Sequence, residues 1–276
     1  MTPAYLERKV REALDEDAAG RDVTTAAVVP PGLWAEAELR AGADGVVAGV
    51  APAEEAFRQV DPAAAFEAVA PDGTRVRPGD VLARVRGPLA GLLRAERTAL
   101  NFLQQLSGVA TLTRRYVDAA GATAVLDTRK TAPGLRPLQR LAVSAGGGVN
   151  HRFDLADAVL IKDNHVAAAG GTAAAIRLAR RSGLPVEVEV ESLAELDVAL
   201  AERAECVLLD NMSPAEVAEA VRRTARRAVL EVSGGVSLAT IAAYAATGVD
   251  RISVGALTHS APALDISMEV TRTWQQ

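Results

Sequence analysis

The segment DTRKTAPGLR (127–136) crowds Arg129, Lys130 and Arg136 around a Pro-Gly turn, in a chain of 276 residues whose formal charge is −5. Lysine is scarce, since of the 30 basic residues only Lys9, Lys130 and Lys162 are lysines. Lys130 and Lys162 lie in segments that also hold His151 and His165, two of the three histidines. Between residues 127 and 165 six Lys/Arg stand against four Asp, a local +2 that leaves −7 for the remainder. A positive cleft in an acidic protein suits a small, multiply anionic ligand. Planar guanidinium groups would grip carboxylates in a bidentate fork, while lysine supplies a point charge.

Such groups need a scaffold that brings distant segments together. After residue 120, short apolar runs at AVLDT (124–128), AVLIKD (158–163), VEVEVE (186–191), CVLLD (206–210), AVLEVS (228–233) and RISVG (251–255) alternate with Ala-rich amphipathic stretches. This alternation predicts parallel strands in βαβ units. With no Gly-x-Gly-x-x-Gly after the first strand, it favours a closed or nearly closed α/β barrel over a dinucleotide-binding sheet, and six clear strands in place of eight mean that the barrel is irregular or that the pattern leaves some of its strands unmarked. The runs end in Thr128-Arg129-Lys130, Lys162-Asp163, Glu189 and Glu191, Asp210-Asn211, Ser233-Gly234-Gly235, and Ser253 to Gly255 followed by Ala256. The C-terminal strand ends of an α/β barrel share one mouth, where active sites sit.

Glu187, Glu189 and Glu191 fall on one face of their strand and Val186, Val188 and Val190 on the other, because side chains alternate with period two. The carboxylates are expected to point into the barrel, towards cations, a metal or sugar hydroxyls. Neutralising Lys130 and Lys162 is the purely structural alternative. The turns at 233–235 and 253–256 each precede an expected helix and expose backbone N–H groups, a pattern that suits phosphate.

The first hundred residues read as a helix at 5–16, a turn at DVTT (22–25), strands at 33–41 and 45–50, and a helix at 51–60. A hairpin is expected at 71–87, without the lysine of a lipoyl or biotinyl carrier. From Leu89 to Leu106 leucines recur on one face, with Glu96 inside that stripe and Arg97 at its edge. A charge there is costly unless paired, so an internal Glu96 salt bridge is one expectation. Aromatics at 3% and a pI near 5.4 argue against a nucleic-acid surface or an anionic membrane partner. The single cysteine, Cys206, fits a reducing cytoplasm, and the charged N-terminus does not read as a signal peptide. No apolar run approaches the ~20 residues that span a bilayer.

DTRKTAPGLR, followed by GGGVNHRFDLADAVLIKDNH (146–165), closely resembles the quinolinate phosphoribosyltransferase family, the carboxylating pyrophosphorylases of NAD biosynthesis. ERTALNFLQQLSG (96–108), VEVEVESLAELD (186–197), LLDNMSP (208–214), LEVSGGV (230–236) and VGALTHS (254–260) extend the match over nearly the whole chain. The resemblance implies an α/β open-sandwich domain over 1–108 and an incomplete (β/α) barrel over 109–276, whose tail returns to the first domain. It also implies Mg²⁺ and a homodimer, or a hexamer, with sites shared across the interface. Arg97 from a partner chain, Thr128, Arg129, Lys130, His151, Arg152 and Lys162 would hold quinolinate. Lys130, Lys162, Glu189, Asp210, Ser233, Gly234, Gly235, Ser253, Gly255 and Ala256 would hold phosphoribosyl pyrophosphate, with Glu189 and Asp210 reaching the metal directly or through water. Lys130, Lys162, Glu189 and Asp210 are the expected catalytic groups. A molybdenum-transport relative of the same fold, an enzyme that uses nicotinate, and a non-catalytic anion-binding barrel are the alternatives. The intact NHR and KDNH segments speak against the first of these.

Overall fold

A computed structural model describes Met1–Gln275. In chain order its elements are α1 (Pro3–Glu16), α2 (Val23–Val28), β1 (Leu33–Ala41), β2 (Gly45–Val46), α3 (Val50–Val60), β3 (Ala65–Ala68), β4 (Arg75–Val76), β5 (Val81–Pro88) and α4 (Leu89–Ala120). There follow β6 (Ala124–Leu126), α5 (Arg136–Ala145), β7 (Val159–Ile161), α6 (Asp163–Ala169), α7 (Thr172–Ala179), β8 (Val186–Val190) and α8 (Leu193–Ala201). The last are β9 (Cys206–Asp210), α9 (Pro214–Thr224), β10 (Val229–Ser233), α10 (Ile241–Ala245), β11 (Arg251–Ser253), α11 (Ala256–His259) and β12 (Ile266–Gln275). Two compact units form. One combines Met1–Leu112, Gly134–Gly147 and the stretch from Ala261, and the other combines Thr113–Pro133 with Gly148–Ser260. The boundary expected after residue 108 falls inside α4.

The first unit holds the antiparallel sheet β12-β1-β5-β3. Strict alternation along β1 buries Ala35, Ala37, Leu39 and Ala41 against a core shared with Val10, Leu14, Phe57 and Leu92. The C-terminal strand pairs with β1 and sets Trp274 opposite Trp34. Three expectations are corrected. DVTT is the start of α2, because the Asp22 carboxylate caps it by accepting the Thr24 and Thr25 N–H groups at 2.9 and 3.0 Å. The runs at 71–87 do not pair with each other: β4 joins β2, and β5 lies between β1 and β3. Pro-Gly-Asp turns the chain there without closing a hairpin. The expected strand at 45–50 is only two residues long, because Gly49 leads straight into α3.

The buried face continues past Leu106 through Val109, Ala110, Thr113 and Tyr116, so the expected helix becomes the 32-residue α4. Gly108 is required within it, since a Cβ there would lie 2.1 Å from the Pro262 carbonyl oxygen. No helix among the described residues is long and apolar enough to cross a membrane.

The second unit is built on one six-stranded parallel sheet in the order β6-β11-β10-β9-β8-β7. These are the six runs expected from the sequence, and together with α6–α11 they form the incomplete barrel. Val149 adds a parallel bridge to Leu126 at the β6 edge. Val188, Val190, Val207, Leu209, Val232 and Ile252 are each at most 1% exposed. At about 25 cal/mol per Å² of apolar surface, burying these side chains stabilises the sheet.

Candidate active site

The C-terminal ends of the parallel strands surround a cavity of about 670 Å³ lined, among the described residues, by second-unit side chains alone. One wall is cationic. Asp127, fully buried at the end of β6, accepts the His151 N–H at 2.8 Å and so ties the 127–130 segment to the 151–152 segment. Arg129 and Arg152 thereby both line the cavity, with Lys130 and Lys162. Arg152 lies below the ordinary arginine value, first through burial and then through the neighbouring Arg129 charge. Two guanidiniums lining one cavity suit an anion. Lys130 is held from its backbone, as its carbonyl accepts the Thr258 hydroxyl at 2.8 Å and its N–H donates to the Thr128 hydroxyl at 3.1 Å.

A second set of lining side chains is acidic. Glu189 projects from β8 as the period-two argument requires and forms an ion pair with Lys162. Glu187 also faces inward, whereas Glu191 lies beyond the end of β8 and is exposed. Asp210 closes β9, and its Oδ2 accepts the Asn211 amide at 2.7 Å. A capping box at the start of α9 holds this strand end, with the Glu216 carboxylate accepting the Ser213 N–H at 2.8 Å.

The two small-residue turns also line the cavity. Gly234 and Gly235 have φ of 89° and 62°, and both line the cavity with Ser233. Ser253, Gly255 and Ala256 complete the second turn, although the Ser253 hydroxyl is turned towards the Val232 carbonyl at 3.5 Å. The expected helices differ from those found: α11 follows the second turn but has only four residues, and α10 begins six residues after Gly235.

Beneath the cationic wall, His151 Nε2 lies 3.0 Å from Glu187 Oε2 and 3.4 Å from Glu231 Oε1. Burial weighs against charge on this ring, but the Glu187 and Glu231 carboxylates outweigh it and bring its titration up to about 10. The Arg152 N–H, directed at Nδ1 at 2.8 Å, pulls the other way because it needs that nitrogen's lone pair. In either charge state Nε2 keeps its proton.

Of the residues expected at the site, all but Arg97 line the cavity. Arg97 belongs to the first unit, is exposed, and holds no ion pair with a described residue. Half-buried Glu96 likewise lacks the expected salt bridge, and burial raises its carboxyl above the usual range, with Arg97 partly offsetting this. His165 serves structure, its Nδ1 accepting the Lys162 N–H at 3.0 Å at the start of α6. His259 and Asn211 line the cavity without having been assigned to the site. The signal for His259 was its place as the third histidine, in VGALTHS just after a strand end.

Known proteins resemble the chain over most of its length. Residues 22–107 match the family model "Quinolinate phosphoribosyl transferase, N-terminal domain", and residues 109–269 match that of the C-terminal domain. The chain is 46% identical over 271 residues to the nicotinate-nucleotide pyrophosphorylase [carboxylating] of Mycobacterium leprae, covering 95% of each. It is 43% identical over 241 residues to a probable enzyme of the same name from Bacillus subtilis, covering 86% of this chain and 83% of that one. The solved nicotinate-nucleotide pyrophosphorylase of Francisella tularensis superposes with a TM-score of 0.95 at 40% identity, over 98% of each chain. Human nicotinic acid phosphoribosyltransferase, at 17% identity and a TM-score of 0.65, shares the fold over 99% of this chain and 74% of its own. The chain belongs to the quinolinate phosphoribosyltransferase family.

Proposed function

We propose that the protein transfers the phosphoribosyl group of 5-phosphoribosyl 1-pyrophosphate to the ring nitrogen of quinolinate and releases CO₂, giving nicotinate mononucleotide. The observation that carries this reading is the division of one cavity into a guanidinium wall, an acidic wall and two small-residue turns. Arg129 and Arg152 take the two adjacent carboxylates, and Leu160 offers the flat ring an apolar contact. The turns at 233–235 and 253–256 admit the 5′-phosphate, while Glu189 and Asp210 accept the ribose hydroxyls.

The ring nitrogen's lone pair forms the bond to the anomeric carbon as that carbon's bond to pyrophosphate breaks, the electron pair leaving with pyrophosphate. Positive charge builds on the sugar as it does so, and the Glu189 and Asp210 carboxylates stabilise it. Lys130 and Lys162 offset the charge of the departing pyrophosphate. In the resulting pyridinium the bond to the adjacent carboxylate breaks, its electron pair stays on the ring carbon as CO₂ departs, and one proton from the medium replaces it.

The hard oxygen donors of Glu189 and Asp210 fit Mg²⁺, which when bound would neutralise pyrophosphate charge. We place Arg97 of the partner subunit at the quinolinate end of the site in a homodimer, a reading supported by its exposure and by its lack of an ion pair with a described residue of its own chain. The single cysteine supports a cytoplasmic setting. Incubation of the purified protein with phosphoribosyl pyrophosphate, Mg²⁺ and each pyridine acid in turn tests the assignment. Product is expected from quinolinate, and equal turnover of nicotinate would refute it.

A further inference from the structure

Three side chains from separate parts of the chain meet below the cationic wall: His151, Glu187 on β8 and Glu231 on β10. Glu231 is 0% exposed, and neither of its oxygens has a hydrogen-bond partner of good geometry. A buried carboxylate in that state costs free energy unless something nearby answers its charge. Among the described residues, the donor directed at it is the His151 Nε2–H, 3.4 Å away and shared with Glu187 at 3.0 Å. The Cys206 thiol donates to the other Glu187 oxygen at 3.4 Å, which leaves Oε2 for the ring.

A metal ion does not fit this group as it is folded. Binding at Nε2 would need that nitrogen's lone pair and would drive the ring proton to Nδ1, where the Arg152 N–H already points at 2.8 Å. The trio is organised around a proton. The ring's two edges therefore face different tasks: Nε2–H is drawn inward by two acids, and Nδ1 receives the backbone of the arginine that lines the substrate cavity. The Arg152 guanidinium is anchored in turn by donating to the Ala158 carbonyl at 2.8 Å.

We propose that Glu187 and Glu231 are positioning residues: acting through the Nε2 proton of His151, they hold that ring, and with it the Arg152 segment, at the wall that receives the pyridine dicarboxylate. The proposal rests on the functional reading above for the identity of that substrate. Two acids serve better than one because they approach Nε2 from different strands and leave the ring a single orientation. Neither acid lines the substrate cavity, so both act at one remove from substrate.

The test uses the shape-preserving variants Glu187→Gln and Glu231→Gln with the intact enzyme. In the wild type, ¹⁵N spectroscopy of the three histidines should find one ring with a slowly exchanging Nε2–H, and either substitution should shift or broaden that signal. The KM for quinolinate should rise by about tenfold, as for the loss of one charge-assisted hydrogen bond. The KM for phosphoribosyl pyrophosphate should stay within about twofold. Folded variants that keep the wild-type quinolinate KM, or that raise both KM values together, would overturn the proposal. So would a wild-type His151 lacking a proton on Nε2, which is read without any variant. A wild-type enzyme inactive on quinolinate would instead overturn the functional reading and the substrate named here, while the ring spectrum would still decide whether the acids hold His151.

Discussion

Gly234→Ala tests whether the turn after β10 is shaped by its neighbour. At φ 89° an alanine costs ~1–2 kcal/mol in backbone strain. Its Cβ would also lie 2.2 Å from Asn211 Oδ1 and 2.8 Å from the Asn211 backbone nitrogen. The side chain can swing away, but the backbone nitrogen is held by its hydrogen bond to the Ser233 carbonyl at 2.9 Å, so the two strand ends must separate. Overpacking of this kind costs a further ~1–3 kcal/mol, which puts the total at roughly 2–5 kcal/mol. Gly235→Ala is the internal control. Its φ of 62° carries backbone strain alone, because nothing lies within 4 Å of the added Cβ, and the loss should be about 1 kcal/mol. Urea unfolding of both variants measures the difference. The Gly234 variant should also lose affinity for phosphoribosyl pyrophosphate, since displaced Asn211 releases the Asp210 carboxylate it now holds at 2.7 Å. Equal losses in the two variants, with that affinity intact in both, would mean that Asn211 does not shape this turn.

Arg129→Lys and Arg152→Lys keep the charge but lose the fork, and calorimetry should find quinolinate binding weaker by roughly 1–3 kcal/mol in each. Burial holds the Glu96 carboxyl above its unfolded value, so its ionisation destabilises the fold at neutral pH and stability recovers as pH falls through the raised value. Glu96→Gln should therefore raise Tm at pH 8, with the gain shrinking as pH falls into the carboxylate range, as a calorimetric pH series would record. Mixing inactive Arg97→Ala and Lys130→Ala chains after dissociation should restore about a quarter of wild-type activity, on roughly 50% mixed dimers with one intact site each. No recovery despite mixed dimers would confine Arg97 to its own chain.

What the sequence made legible follows from how local each signal is. The parallel strands could be read because each is a short apolar run ending in polar residues, and Glu189, Asp210 and Ser233 sit at ends that a barrel brings together. The pairing of β4 was not legible, since Pro-Gly-Asp turns a chain whether or not the flanking runs bond to each other. The acid pair around His151 was hidden for a topological reason. Glu231 lies mid-strand between Leu230 and Val232, where periodicity marks only an inward face, and its approach to Glu187 depends on β8 and β10 both flanking β9. His259 sits in a four-residue helix too short to have a periodic signature.

On the proposed function, one cavity joins phosphoribosyl transfer to loss of the carboxyl group next to the ring nitrogen. Quinolinate labelled with ¹³C in that carboxyl tests it directly. With phosphoribosyl pyrophosphate and Mg²⁺ present, labelled CO₂ should appear in step with pyrophosphate and unlabelled nicotinate mononucleotide, and none should form when phosphoribosyl pyrophosphate is withheld. Label retained in the nucleotide product, or CO₂ released without phosphoribosyl pyrophosphate, would contradict the account.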